Sequence, residues 1–226
     1  MTIKKHIPNS LTLLNLLSGC LAIVSILQGN IGIVPTLVII CLFADFFDGM
    51  IARLLNIHSE IGKQLDSLAD MVSFGVVPSI ILYFFLDETG FNNPVALIPF
   101  AVALFSALRL AKFNIDEAQS KEFLGLATPA STAFVVGLLM ASLYQDFSVS
   151  TPMVIATSIV LPILLVINFP MFSLKVKGFS LKQAGWQYAF LVLAILSLVF
   201  FKYLGICVGI IIYILMNIIR FFVAKK

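Results

Sequence analysis

The chain is a series of long apolar stretches separated by short polar connections. Each stretch is close to the roughly 20 mostly apolar residues that a helix needs to cross a bilayer. Turn and cap residues mark the connections, for example Asn9 or Ser10 before the first stretch and Ser59 before the third. The pattern predicts eight transmembrane helices, at about residues 8–28, 32–55, 61–86, 94–113, 128–145, 151–174, 187–203 and 205–222. Pro162 and Pro170 are expected to kink the sixth.

Composition excludes a water-soluble protein. Hydrophobic residues make up 61% of the 226 residues and charged residues only 11%, whereas soluble domains are about 25% charged. So few charges cannot cover a globular surface in water, and lipid is the expected solvent. Little chain remains between the apolar stretches. We therefore expect one all-α integral membrane domain over residues 1–226, with membrane lipid as a partner and no nucleic-acid partner.

The basic residues predict how the chain is oriented in the membrane. If eight spans alternate, every Lys and Arg except Lys202 falls on one side. The positive-inside rule makes that side cytoplasmic. We expect both termini, and the connection that contains Asn56 and His58, to lie on the cytoplasmic side of the cell's inner or plasma membrane.

Four of the eleven acidic residues fall within predicted spans, where charge is costly. Asp45 and Asp48 are spaced i, i+3, and Asp66 and Asp70 are spaced i, i+4, so each pair lies on one helix face. At about 1.5 Å per residue, all four lie within roughly 12 Å of the cytoplasmic helix ends. A short turn should make the two helices antiparallel neighbours, and the carboxylates are then expected to converge.

Converging carboxylates repel one another in a low dielectric and require positive charge. Oxygen ligands suit Mg²⁺, Mn²⁺ or Ca²⁺, and no nearby His or Cys suggests zinc. Asp45 and Asp48 also approach a helix C-terminus, where the macrodipole disfavours anions. Two ions can share four carboxylates. The residues alone leave open a metal site, an ion or proton pathway, and structural aspartates.

Two further features of this region have alternative explanations. Gly49, Ala52 and Gly62 either let helices pack closely or leave space for a ligand. A cation transporter would more often bind its ion near the midplane on broken helices, whereas these acids lie nearer one interface. Gly205 and Gly209 form a small-xxx-small pair in the last span, for which packing within the bundle is a commoner use than a dimer contact.

The spacing of these residues resembles the signature of a known family. Residues 45–70 read D-x2-D-G-x2-A-R-x8-G-x3-D-x3-D, which is similar to the complete signature of the CDP-alcohol phosphotransferases. The flanking segments similar to the bacterial and archaeal phosphatidylserine synthase branch are 7–12, 66–75, 109–114 and 123–126. Branch members often have Pro where this chain has Ala127 and Arg where it has Lys112.

The resemblance implies a fold and an activity. It implies a six-helix catalytic core, here followed by two C-terminal helices, and a homodimer. The implied reaction moves the phosphatidyl group from CDP-diacylglycerol to L-serine and yields phosphatidylserine and CMP. A sibling enzyme would instead use glycerol 3-phosphate or inositol phosphate, for which Arg109, Lys112 and Lys121 could form a basic pocket.

The resemblance also assigns roles to individual residues. Asp70 would be the general base and would share two divalent ions, Mg²⁺ or Mn²⁺, with the other three aspartates. An acceptor site near Arg109 is a further expectation, although a positive-inside anchor is the alternative role for this arginine. The metal-binding residues that the resemblance implies are Asp45, Asp48, Asp66 and Asp70. The implied CDP-lipid-binding residues are Gly49, Ala52, Arg53 and Gly62, and the expected acceptor-binding residues are Arg109 and Asn114.

Overall fold

The structure, a computed structural model, describes residues 6–57, 59–86, 94–115, 123–172 and 181–224. Nearly all of them are helical, and apolar helices occupy the eight places that the hydrophobic pattern predicts. The all-α fold class is confirmed. Among the described residues, the helices long and apolar enough to cross a membrane are His6–Leu27, Ile31–Leu54, Glu60–Phe84, Pro94–Ile115 and Leu204–Val223. Three apolar helices are shorter, namely Thr128–Tyr144, Thr151–Val166 and Gly185–Phe201.

The first two helices pack along each other. α1 is His6–Leu27, and α2 is Val34–Leu54 after a short 3₁₀ turn. Gly29 makes the reversal between them with φ of +74°, a conformation that costs glycine little. Pro35 lies in the first turn of α2, where its missing N–H breaks no helical hydrogen bond.

The third span is one long helix with an irregular middle. It consists of α3 (Glu60–Asp70), a π-helical segment (Met71–Val76) and α4 (Val77–Phe84). Ser59 caps its start, because its hydroxyl accepts the Gly62 N–H at 3.2 Å. The π segment begins directly after Asp70, and such segments occur often at functional sites.

A proline and a neighbouring helix account for part of this irregularity. Pro78 has no N–H to offer the carbonyl of Phe74 four residues earlier. In lipid, a carbonyl freed in this way must find another partner. The hydroxyl of Thr132 on α6 (Thr128–Tyr144) donates to it at 3.0 Å. A hydrogen bond between helices therefore serves the carbonyl that Pro78 leaves without its usual α-helical donor.

The sixth predicted span, 151–174, is too long. α7 is Thr151–Val166, and Pro170 lies beyond it in a two-residue strand, so only Pro162 is inside the helix. The chain before α6 satisfies the end of α7, because Leu126 N–H donates to the Leu164 carbonyl at 2.7 Å. The two short antiparallel strands there are β1 (Phe123–Leu124) and β2 (Pro170–Met171).

α5 (Ala101–Ile115) completes the central bundle and packs on α7, and α8 (Leu181–Phe201) and α9 (Leu204–Ala224) follow as a hairpin. A Cβ on Gly205 would overlap the Ser197 carbonyl, and a Cβ on Gly209 would lie 3.5 Å from the Ser197 hydroxyl. Both glycines thus pack within the chain, between α8 and α9. α9 in turn packs on α6.

Polar and apolar side chains are distributed as in a protein dissolved in lipid. Large apolar side chains such as Phe43, Leu104 and Phe200 are exposed on the outside, whereas Asn15 and Ser73 are fully buried. In water such a surface would favour aggregation, but it matches a bilayer interior. The chain is an integral membrane protein.

Candidate active site

The aspartates lie where α1 meets α2 and α3. α1 packs against both helices, while α2 and α3 make few direct contacts with each other. The short connection between α2 and α3 thus does not make them closely packed neighbours, contrary to expectation. α1 lies against both, and a groove remains between α2 and α3.

The four carboxylates come together across this groove. Oxygens of Asp45, Asp48 and Asp66 lie within 4.8 Å of one another. Asp70 lies one turn further along α3, and its charge interacts with the other three. Asp48 and Asp70 are buried, and Asp45 and Asp66 are half-buried.

The cluster fits a divalent metal ion. Carboxylates this close repel one another unless a cation lies among them. Oδ1 of Asp66 is buried and has no hydrogen-bond partner among the described residues, which is unfavourable in a region with little water. Coordination would supply the missing partner, and a set of oxygen ligands suits a hard cation such as Mg²⁺. The arrangement of Asp45, Asp48 and Asp66 could therefore hold a metal ion.

Two polar residues of α1 hold two of the aspartates. Thr12 donates its hydroxyl proton to Oδ2 of Asp48 at 2.6 Å. Asn15 donates through Nδ2 to Oδ1 of Asp70 at 3.1 Å. Neither residue is among those that the sequence predicts at the site. The available signal was two polar side chains spaced i, i+3 in an otherwise apolar span, which places them on one face.

A cavity of about 530 Å³ opens at the end of the bundle beside the aspartates. The N-terminal turn of α1, the end of α2, the start of α3 and the end of α5 surround it. Asp48 and Asp66 are part of its wall. The residues expected at the CDP-lipid also line it, and they are Gly49, Ala52, Arg53 and Gly62.

The two glycines of the cavity wall each have a neighbouring side chain close to the position that a Cβ would take. A Cβ on Gly62 would lie 3.2 Å from the side-chain oxygen of Asn9, so glycine permits close approach of α1 and α3. A Cβ on Gly49 would lie 3.8 Å from a guanidinium nitrogen of Arg53. The exposed Arg53 side chain thus folds back over Gly49 and places a positive charge on the cavity wall.

Arg109 and Asn114, the expected acceptor residues, do not line this cavity. Asn114 bridges α5 to α3, because its side-chain nitrogen donates to the Ser67 hydroxyl at 2.8 Å and its carbonyl accepts from Lys63 Nζ at 2.9 Å. Nε of Arg109 is buried without a hydrogen-bond partner among the described residues. The charge of Arg109 interacts with Asp70 and with the hydroxyl of Tyr213 on α9.

A family model described as CDP-alcohol phosphatidyltransferase matches residues 5–168. The chain belongs to the CDP-alcohol phosphatidyltransferase family. The match takes in α1 to α7 and all of the 45–70 signature, and it confirms the family resemblance. α8 and α9 lie outside the matched residues.

Relatives of this phosphatidyltransferase carry related names. The CDP-diacylglycerol–serine O-phosphatidyltransferase of Bacillus subtilis (strain 168) is 39% identical over 125 residues, which are 55% of this chain and 70% of the relative. The protein of the same name from Helicobacter pylori (strain 26695) is 34% identical over 198 residues, 86% of this chain and 81% of the relative. Archaetidylserine synthase of Methanothermobacter thermautotrophicus is 30% identical over 151 residues, 66% and 64% of the two chains.

Proposed function

We propose that this enzyme transfers the phosphatidyl group from CDP-diacylglycerol to L-serine and releases CMP. The observation that carries the proposal is the convergence of four signature aspartates beside a cavity at one end of a membrane bundle. Family membership supports the chemistry, and the names of the relatives support serine as the acceptor.

The aspartates would hold the metal. Asp45, Asp48, Asp66 and Asp70 are the proposed ligands of two divalent ions, Mg²⁺ or Mn²⁺. When bound, such ions neutralise the diphosphate and the developing charge on the departing CMP. The hydrogen bond from Thr12 fixes one of these carboxylates in place.

The cavity would take the CDP group of the lipid. Gly49, Ala52 and Gly62 leave its wall free of bulky side chains, and the Arg53 guanidinium offers a positive charge to a phosphate. The cavity lies at the helix ends, so the acyl chains can stay in the bilayer while the nucleotide reaches water.

Asp70 would act as general base. The serine hydroxyl oxygen forms a bond to the phosphorus that carries diacylglycerol, the bond from that phosphorus to the CMP oxygen breaks, and the hydroxyl proton passes to Asp70. A carboxylate is a modest base, so its contribution to the rate depends on lying within hydrogen-bonding reach of the hydroxyl.

Arg109 and Asn114 would form the acceptor side. Nε of Arg109, which has no hydrogen-bond partner among the described residues, is suited to a carboxylate, which the arginine fork binds in a bidentate manner. Lys63 already donates to a backbone carbonyl, and Lys112 is exposed. This environment suits the carboxylate of serine better than the doubly charged phosphate of a sibling's acceptor.

The orientation, domain organisation and assembly are also proposals. We place the cavity and both termini on the cytoplasmic side, because basic residues gather at that end of the predicted topology. We treat residues 1–226 as a single membrane domain. A homodimer is inferred from the family resemblance, and crosslinking in native membranes would test it.

The deciding experiment is a transfer assay on purified protein in lipid vesicles that contain CDP-diacylglycerol and Mn²⁺. Labelled serine, glycerol 3-phosphate and inositol phosphate are supplied in parallel, and Asp66→Ala measures the background. We expect labelled lipid and CMP in equal amounts with serine alone. Product from glycerol 3-phosphate or inositol phosphate but not from serine would assign the protein to a sibling activity. Absence of transfer to any of them would contradict the proposal.

A further inference from the structure

An asparagine in the middle of the first span stands out because it has no part in the activity described so far. Asn15 is fully buried. Burying an amide in apolar surroundings is unfavourable unless its polar atoms find partners. Polar side chains inside membrane spans therefore often have a functional contact.

The side chain of Asn15 is directed at Asp70. Its Nδ2 donates to Oδ1 of Asp70 at 3.1 Å. An ionised carboxylate only accepts hydrogen bonds, so the nitrogen is the end of the amide that must face it. The amide oxygen of Asn15 is buried and has no partner among the described residues. The contact with Asp70 is thus the one hydrogen bond that the described part of the chain provides for this side chain.

The backbone of Asn15 has a separate, structural role. Its carbonyl accepts hydrogen bonds from the Ser73 hydroxyl at 3.1 Å and from the Cys41 thiol at 3.4 Å. These bonds tie α1 to both the third span and α2, and neither involves the side chain. A substitution at this position keeps the backbone bonds while it removes the contact with Asp70.

We propose that Asn15 is a positioning residue that holds the Asp70 carboxylate in the orientation in which it takes the proton of the acceptor hydroxyl. Asp70 directly precedes the π segment, where the helical bonding pattern changes. A donor on a neighbouring helix fixes the plane of the carboxylate through Oδ1. The inference rests on the proposed role of Asp70 as base.

A double-mutant cycle tests this role, with kcat measured for Asn15→Leu in the wild-type and Asp70→Asn backgrounds. In the wild-type background we expect kcat to fall by about 10- to 100-fold, the range typical of residues that orient a metal ligand, which Asp70 is also proposed to be. The concentration of CDP-diacylglycerol at half-saturation should not change. In the Asp70→Asn background the same substitution should cause no further loss, because no base remains to be oriented.

A purely structural role predicts other results. An equal loss of kcat in both backgrounds would overturn the proposal, as would a kcat that stays at the wild-type value. Single-turnover measurements with labelled CDP-diacylglycerol make the slow rate of the Asp70→Asn background measurable. Asn15→Ala, which adds no atoms to the site, repeats the cycle if the leucine variant does not fold.

Asn217→Leu is the matched control. Asn217 on α9 is also a buried asparagine, and its side-chain oxygen accepts from the Phe172 N–H at 2.7 Å. We expect this variant to lower the thermal midpoint without changing kcat of the folded protein. If serine is not the acceptor, the proposed function fails, but the cycle can be run with whichever alcohol the enzyme uses. The two failures are therefore distinguishable.

Discussion

At the residue scale, the aspartates differ in what surrounds them. Thr12 and Asn15 of α1 each hydrogen-bond one of the two buried carboxylates, at positions 48 and 70. Oδ1 of Asp66 is instead buried beside other carboxylates without a hydrogen-bond partner among the described residues. Oδ1 of Asp66 is therefore the oxygen that would gain most from a bound metal ion. The carboxylates of Asp48 and Asp70 are held in position beside it by their hydrogen bonds.

Removing one metal ligand should abolish most activity. For Asp48→Ala and Asp66→Ala we expect losses larger than the roughly 10- to 100-fold typical of residues that only orient a ligand. Turnover measured against Mn²⁺ concentration checks this. Asp146→Asn is the control, because it removes a carboxylate from a loop outside the cluster and should keep full activity. Full turnover of wild-type protein after treatment with a chelator would contradict the metal requirement.

Removing the proposed base should separate binding from turnover. Asp70→Asn keeps the size of the side chain and one oxygen but removes the basic site. We expect it to bind CDP-diacylglycerol and Mn²⁺ while its rate falls by about 10²-fold or more. Equilibrium binding and initial rates measure the two properties. If more than about a tenth of the rate remains, Asp70 is a ligand only and the proton leaves through water.

Arg109 should affect the acceptor rather than the lipid. Arg109→Lys keeps the charge but loses the bidentate fork. We expect roughly a tenfold rise in the apparent serine KM, since hydrogen bonds to charged groups contribute about 1.5–3 kcal/mol. The KM for CDP-diacylglycerol should not change. Lys112→Ala, which removes an exposed cation of the same helix, is the control. An unchanged serine KM would favour the role of a positive-inside anchor.

At the scale of elements, hydrophobic patterning located every described apolar helix but not all of their ends. It could not show that α7 ends at Val166, because the helix end depends on the Leu126 N–H from a distant part of the chain. It also could not show the π segment. The sequence shows Pro78, but it does not show that the Thr132 hydroxyl lies beside the Phe74 carbonyl. Contacts distant in sequence decide both features.

The cross-helix bond of Thr132 should stabilise the third span. Thr132→Val removes the hydroxyl at nearly constant shape, so the buried Phe74 carbonyl loses this hydrogen bond. We expect the free energy of unfolding to fall by about 1–3 kcal/mol. Thr132→Ser should restore most of the stability. Ser158→Ala is the control, because the hydrogen bond that the described residues give its hydroxyl lies within its own helix, to the Val154 carbonyl. Denaturant unfolding in detergent compares them, and equal values for the valine and serine variants would contradict the explanation.

At the scale of the whole molecule, the ends of α1, α2, α3 and α5 meet around one cavity, with Arg53 and Lys63 on its wall. The family signature and the uneven distribution of basic residues were readable from sequence, because both depend on residue order alone. The groove between α2 and α3 was not readable, because it depends on how α1 packs against the two helices.

Cysteine labelling should establish the orientation. In a background with the native cysteines replaced by alanine, Leu55→Cys marks the cavity end, and Phe201→Cys marks the opposite one. Leu55 is preferable to Asn56, whose φ of 51° disfavours most other residues. An impermeant reagent added to intact cells should label the Phe201→Cys protein and label the Leu55→Cys protein only after permeabilisation. The reverse pattern would invert the topology.

The Thr132–Phe74 bond joins residues 58 positions apart, which has a consequence for how the protein is made. All four aspartates and both α1 donors lie within the first 70 residues, so the site can begin to assemble when three spans have been synthesised. At about 5–20 residues per second, Thr132 follows Phe74 by roughly 3–12 s. During that interval the third span, the least apolar of the five long described ones, lacks the hydrogen bond that Thr132 gives to the Phe74 carbonyl. We expect α1, α2 or the insertion machinery to shelter this part of the third span until α6 arrives.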